Sequence, residues 1–186
     1  DFSLSDAIES GLTKTPRISI RDDSSKFDKE YRSRFYHLYK DDEVKPDLTR
    51  PAKPHEELPD LVTNAYWILG QDWIETKRKW DEGGSKIPPV MITVCNTTNT
   101  AARIKHSFEN DRFAGLKELS KPGTLLQVDS TTMQKAEDGI GDSNENNLRD
   151  IVDSVGKIGK PGEQIRNIVA VQMLSEGWDA RNVTHI

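Results

Sequence analysis

Three observations predict an α/β domain with a mostly parallel sheet and helices on both of its faces. Apolar runs rich in β-branched residues recur at 90–95, 124–128, 167–174 and from Val183 onward. Helical periodicity fills the intervals after the first and second runs. The first and third runs are apolar at nearly every position, as strands are when both faces are covered. The resulting order is β-α-β-α-β-β. Alternation of this kind builds parallel sheets, because each crossover returns the chain to the same end.

Residues 1–58 read as a connecting extension that precedes the domain. Ser5 is placed to cap a short helix through Leu12, and 17–20 (RISI) reads as a short strand. Charge and turn-formers then dominate, and Pro46, Pro51, Pro54 and Pro59 are expected to break any helix. The aromatics of YRSRFYHLY predict docking on a neighbour. From Asp60 to about Glu82 a helix is expected. Val62, Tyr66, Leu69, Trp73 and Trp80 share one face, widened by Leu61, Ala65 and Ile68. Gly83 and Gly84 supply its stop. Its tryptophans read as core packing, since their spacing already accounts for them.

The strand VMITVC ends at Cys95, and Asn96, Thr97 and Thr98 can each cap the helix that follows to about Asn110. Ala101, Ala102, Ile104 and Phe108 are its expected inward face. Residues 131–146 read as a polar loop. Ser143 opens a helix carrying Leu148, Ile151, Val152 and Val155 at core spacing, and GKIGKPGEQ is a turn-rich connector to the third strand. VTHI starts a fourth strand that reaches the last residue, Ile186. A chain that stops inside a strand predicts a fragment of a longer protein.

Composition bounds the function. Of 186 residues, 34% are hydrophobic and 31% charged, with 4 Trp, 4 Tyr and 5 Phe, enough aromatic mass for one modest core. No apolar run approaches the roughly 20 residues that span a bilayer, and the first residues lack the pattern of a secretory leader. A lone cysteine excludes an internal disulfide, which fits a reducing cytoplasm. The net charge of -5 excludes nucleic-acid binding by bulk charge, so any such contact must be local.

Ligands of open parallel sheets collect beyond the carboxyl ends of the strands. That edge carries Asn96-Thr97-Thr98, Asp129-Ser130 and Ser175-Glu176-Gly177-Trp178-Asp179. The first group reads as helix capping or as phosphate contact, and one set of residues can do both. In the last, Gly177 permits close backbone approach and Asp179 offers a carboxylate to a ribose or to basic groups. The same residues read equally as a turn carrying a solvated acid. GKIGKPG lacks the GxxxxGK(S/T) phosphate loop and precedes a strand instead of following one. Asp81-Glu82 reads as surface, the four histidines are scattered, and Cys95 has no base beside it. The basic side chains from Arg103 to Lys121 are offset by acids and read as a solvated face that could also track a phosphate backbone.

PPVMITVCNTTNTAARI followed by NIVAVQMLSEGWDARNVTHI resembles the second RecA-like motor domain of superfamily 2 helicases, most closely the Res subunit of type III restriction-modification enzymes. DFSLSDAIESGLTKTPRISIRDD and HEELPDLVTNAYWILGQDWIETKRKW are similar to the same family, so the likeness spans nearly the whole chain. It implies a P-loop NTPase fold, truncated, with 1–58 an extension from a preceding motor domain and 59–186 the second motor domain. It also implies a parent enzyme that uses ATP and Mg²⁺ to move on duplex DNA, beside a methyltransferase subunit. By position VCNTT matches motif IV, so Asn96 and Thr97 approach nucleic-acid phosphates, while Asp129 and Ser130 line the DNA track. SEGWD matches motif V. Gly177 and Asp179 then face the nucleotide, and Ser175 and Glu176 lie in the same turn beside DNA. The usual motif V threonine is unmatched, with Val171 and Gln172 in that neighbourhood. A phosphate loop, a DExH pair, a QxxGRxxR motif and a PD-(D/E)xK nuclease pattern are all absent from the sequence. The isolated chain is therefore expected to be inactive, with no bound cofactor and the first motor domain as a missing partner. A non-enzymatic α/β module that binds a protein or a phosphate ligand is the alternative.

Overall fold

The structure, a computed structural model, describes residues 6, 9, 10, 38–129, 148–171 and 182–186. The chain divides into two units, 1–33 and 34–186. In the first, Ser10 donates both its N–H and its hydroxyl to the Asp6 carbonyl, at 2.9 and 2.6 Å. The expectations at 17–20 and 131–146, and the helix start at Ser143, lie outside the described residues.

The second unit is built on a sheet of four strands: β1 (Val90–Cys95), β2 (Leu125–Val128), β3 (Asn167–Val171) and β4 (Val183–His185). Their spatial order is β2-β3-β1-β4 and every pairing is parallel. The expected α/β class with a parallel sheet is what forms. The β1–β3 ladder runs from Met91 opposite Asn167 to Cys95 opposite Val171. On β4 the register shifts between Val90 and Met91.

Side-chain alternation assigns the two faces. Val90 and Ile92 of β1 join Ile168 and Ala170 of β3 in a cluster closed by α4 (Leu148–Asp153), through Leu148 and Val152, with Val155 and Ile165 from the segment after it. Met91, Thr93 and Cys95 point the other way, toward α2 (Asp60–Glu82), α3 (Thr98–Glu109) and the loop after it. There the Tyr66 hydroxyl meets Thr93 Oγ1 at 2.7 Å. Tyr66, Phe108 and Phe113 pack ring to ring with centroids 4.5–5.3 Å apart, the separation at which edge and tilted aromatic contacts are favourable. Trp73 is fully buried and donates Nε1–H to the Pro89 carbonyl at 3.1 Å, which confirms it as core. Trp67 is 46% exposed, so the core reading of the helix's tryptophans is corrected there: it falls outside the face shared by Val62, Tyr66 and Trp73. Helices thus flank the sheet on both faces.

Further local expectations are corrected. Val94 is 47% exposed, so the carboxyl end of β1 is not buried on both faces. Pro46 does not prevent a helix: α1 (Val44–Thr49) contains it within the first turn. An amide there has no intrahelical acceptor, so proline costs nothing, and its carbonyl accepts from the Arg50 N–H at 3.1 Å. Pro59 does stop the chain from entering α2 any earlier and occupies its N-cap.

Residues 44–58 belong to the same unit as the sheet. Val44 and Leu58 are buried, and Arg103 of α3, 1% exposed, reaches across to this segment. The reading of Arg103 as part of a solvated basic face is therefore corrected. No helix among the described residues is long and apolar enough to cross a membrane.

Candidate functional site

The carboxyl edge of the sheet gathers what the sequence separates. Cys95 lies opposite Val171, and Val128 lies opposite Ala170, so β1, β3 and β2 end level with one another. The segments beginning at Asn96, Asp129 and Gln172 therefore leave three adjacent strand ends. Asn96 and Asp129 sit on strands two apart, a lateral separation of about 10 Å. Ser130, Ser175, Glu176, Gly177 and Asp179 lie outside the described residues.

Each described candidate has a defined setting. Thr97, in extended conformation (φ -141°, ψ 158°), is the N-cap of α3. Its Oγ1 accepts from the Thr100 N–H at 3.1 Å and lies 3.0 Å from the Thr100 hydroxyl. This is the capping role expected of one of the three polar residues after β1. Asn96 is exposed, and its Nδ2 donates to the Leu48 carbonyl at 3.2 Å. Asp129 stands on the rim but is only 6% exposed, and one of its carboxylate oxygens accepts from Gln127 Nε2 at 3.4 Å.

Arg103, which sequence reasoning read only as one cation of a mixed face, organises the flank of α3. Its guanidinium donates to the Asp47 carboxylate at 2.8 Å and to the Glu56 carbonyl at 3.4 Å, and it also bonds the Glu57 carbonyl. Its position was open to reading: it falls beside Ile104 and one turn before Ser107, on the buried face of α3 that also carries Thr100, Ala101 and Phe108. Nearby, the Lys53 N–H and the Arg50 guanidinium hold the Glu56 carboxyl below its ordinary range.

A cavity of about 530 Å³ opens on the α2 side of β1, lined by Tyr66, Leu69, Met91, Thr93 and Cys95, with Asn96 also on its wall. Cys95 is 5% exposed there, and burial pushes its thiol up to about 12. The neutral thiol is the form the fold keeps, so its contribution to stability is complete below about pH 8.5, the unfolded value. That contribution is lost as pH rises toward the folded value. At pH 8 an aromatic disulfide reagent is expected to modify folded Cys95 far more slowly than the unfolded chain, since thiolate is the reacting species. Equal rates in buffer and in denaturant would contradict this burial.

Among the described residues, no group of three His, Cys, Asp or Glu side chains gathers as a metal site. No family model, no curated protein and no solved structure matches this chain.

Proposed function

We propose that this chain is one motor domain of an ATP-dependent DNA translocase, of the kind found in the restriction subunit of type III restriction-modification enzymes. It supplies one wall of the cleft for ATP and duplex DNA and does not turn over ATP alone. One arrangement carries the reading. The strands that lead into VCNTT, LLQVDS and VQMLSEGWD are parallel, adjacent and end at one edge. In an open parallel sheet that edge is where ligands bind.

Phosphoryl transfer requires a lysine, a metal ion and an arginine acting together on the transferred group. The residues the resemblance assigns to the nucleotide, Gly177 and Asp179, provide none of the three cations. The edge of the missing first motor domain would complete the centre, with the methyltransferase subunit as the further partner. On the DNA side, the amides at the start of α3, and Asn96 once released from the Leu48 carbonyl, are neutral donors for backbone phosphates. Neutral donors release few counterions, so the expected binding is weak and only mildly salt-dependent.

The test is an anisotropy titration of the chain with a labelled duplex of about 20 base pairs, giving an expected log–log salt slope no steeper than about -1. A phosphate-release assay with ATP and the same duplex is run in parallel and is expected to stay at background. Robust DNA-stimulated turnover overturns the assignment of a single inactive wall. Absence of duplex binding at low salt, with retention of inorganic phosphate or a protein, favours the non-enzymatic binding module.

A further inference from the structure

We propose that residues 41–57 form an autoinhibitory strap, an acidic segment that occupies the donors along α3 which a nucleic-acid backbone would use. The inference rests on the nucleic-acid reading above and adds its regulation. Four side chains spread over the length of α3 are engaged by this one segment. Asn96 and Thr100, at the amino end, both donate to the Leu48 carbonyl, at 3.2 and 2.8 Å. Arg103, in the middle, donates to the Asp47 carboxylate at 2.8 Å. Arg112, just past the carboxyl end, donates to the His55 carbonyl at 2.9 Å.

An amide, a hydroxyl and two guanidinium groups in series are the donors that proteins direct at phosphate and sugar oxygens. Here strap oxygens take every one of them. The strap's charge has the same sense: 41–57 holds six acidic and three basic side chains. It therefore resembles a short polyanion lying along the helix, and it repels a second one.

The segment is built to lift and return. Val44 and Leu58, both buried, pin its two ends. Arg50 closes it on itself, bridging Asp47 at 2.9 Å and Glu56 at 2.7 Å, with a half-exposed side chain and no bond to α3. Closure lowers apparent affinity by the fraction of time the strap is open, so any change that opens it more often raises affinity in proportion.

Arg50→Gln tests this without touching α3. Removing a positive charge weakens DNA binding by electrostatics alone, so a gain in affinity identifies release of the strap. Loss of two exposed ion pairs is expected to tighten duplex binding by about two- to fivefold. In the unmodified chain, adding duplex is expected to accelerate amide hydrogen exchange across 44–58. If the unmodified chain binds duplex, but Arg50→Gln binds no more tightly and exchange across 44–58 is unchanged, the strap proposal fails while the nucleic-acid reading stands. If neither protein binds duplex, both fail together.

Discussion

Arg103→Ala is expected to destabilise the 34–186 unit by about 3–5 kcal/mol, the largest effect of any single side-chain truncation proposed for this chain. The guanidinium is 1% exposed, and its Asp47 partner is 22% exposed. Truncation removes one of the two guanidinium groups that compensate Asp47, Arg50 being the other, and leaves the Glu56 and Glu57 carbonyls without this donor. A buried acceptor stripped of its partner costs about 1–3 kcal/mol, and the two partly buried carbonyls here fall toward the lower end of that range. Arg103→Met separates packing from pairing. It restores most of the volume and none of the hydrogen bonds, so it is expected to recover only a minority of the loss. Urea unfolding followed by tryptophan fluorescence measures both, and Trp73 in the core provides the signal. A loss below about 1 kcal/mol for Arg103→Ala would mean that the strap is held by its apolar ends alone.

The strands were legible because burial writes itself as a run of apolar letters. VMITVC and NIVAV needed no context, and their parallel pairing follows from the helices between them. α2 was legible through its period, and its closing residues coincide with the glycines that end it. The strap was not legible. Its ties to α3 span 46 to 57 positions in sequence, and nothing local in PDLTRPAKPHEE announces a partner. Charge and proline density made the segment read as a connector, although a connector can be immobilised by one buried arginine. Pro46 misled for a related reason: proline forbids a helix interior but not a first turn, and a six-residue helix is nearly all ends. At the candidate site, the sequence located the rim through Asn96, Thr97 and Asp129. It did not reveal that the Asn96 amide is already committed to Leu48, since that depends on where the strap lies.

Gly162→Ala is expected to cost about 3 kcal/mol or more, while Gly159→Ala, three residues earlier in the same connector, costs about 1 kcal/mol. Both glycines belong to GKIGKPGEQ, whose phosphate-loop flavour the sequence reading set aside. The structure gives the two glycines different tasks. Gly159 needs its freedom for a positive φ of 72°, and a β-carbon there would meet nothing within 4 Å. Gly162 is the contact point. Its N–H donates to Ser154 Oγ at 2.9 Å in a buried bond. A β-carbon would stand 2.2 Å from the Ile151 carbonyl oxygen and 2.6 Å from the Val155 nitrogen. Those are backbone atoms at the end of α4, and no rotamer change moves them. The connector must therefore retreat from α4. Ile165, 4% exposed in the cluster beneath β1 and β3, is three residues away and would be drawn out with it. Parallel urea titrations of the two variants measure the contrast. Equal losses would show that the connector's cost lies in its turn conformation, and that its packing against α4 yields without penalty.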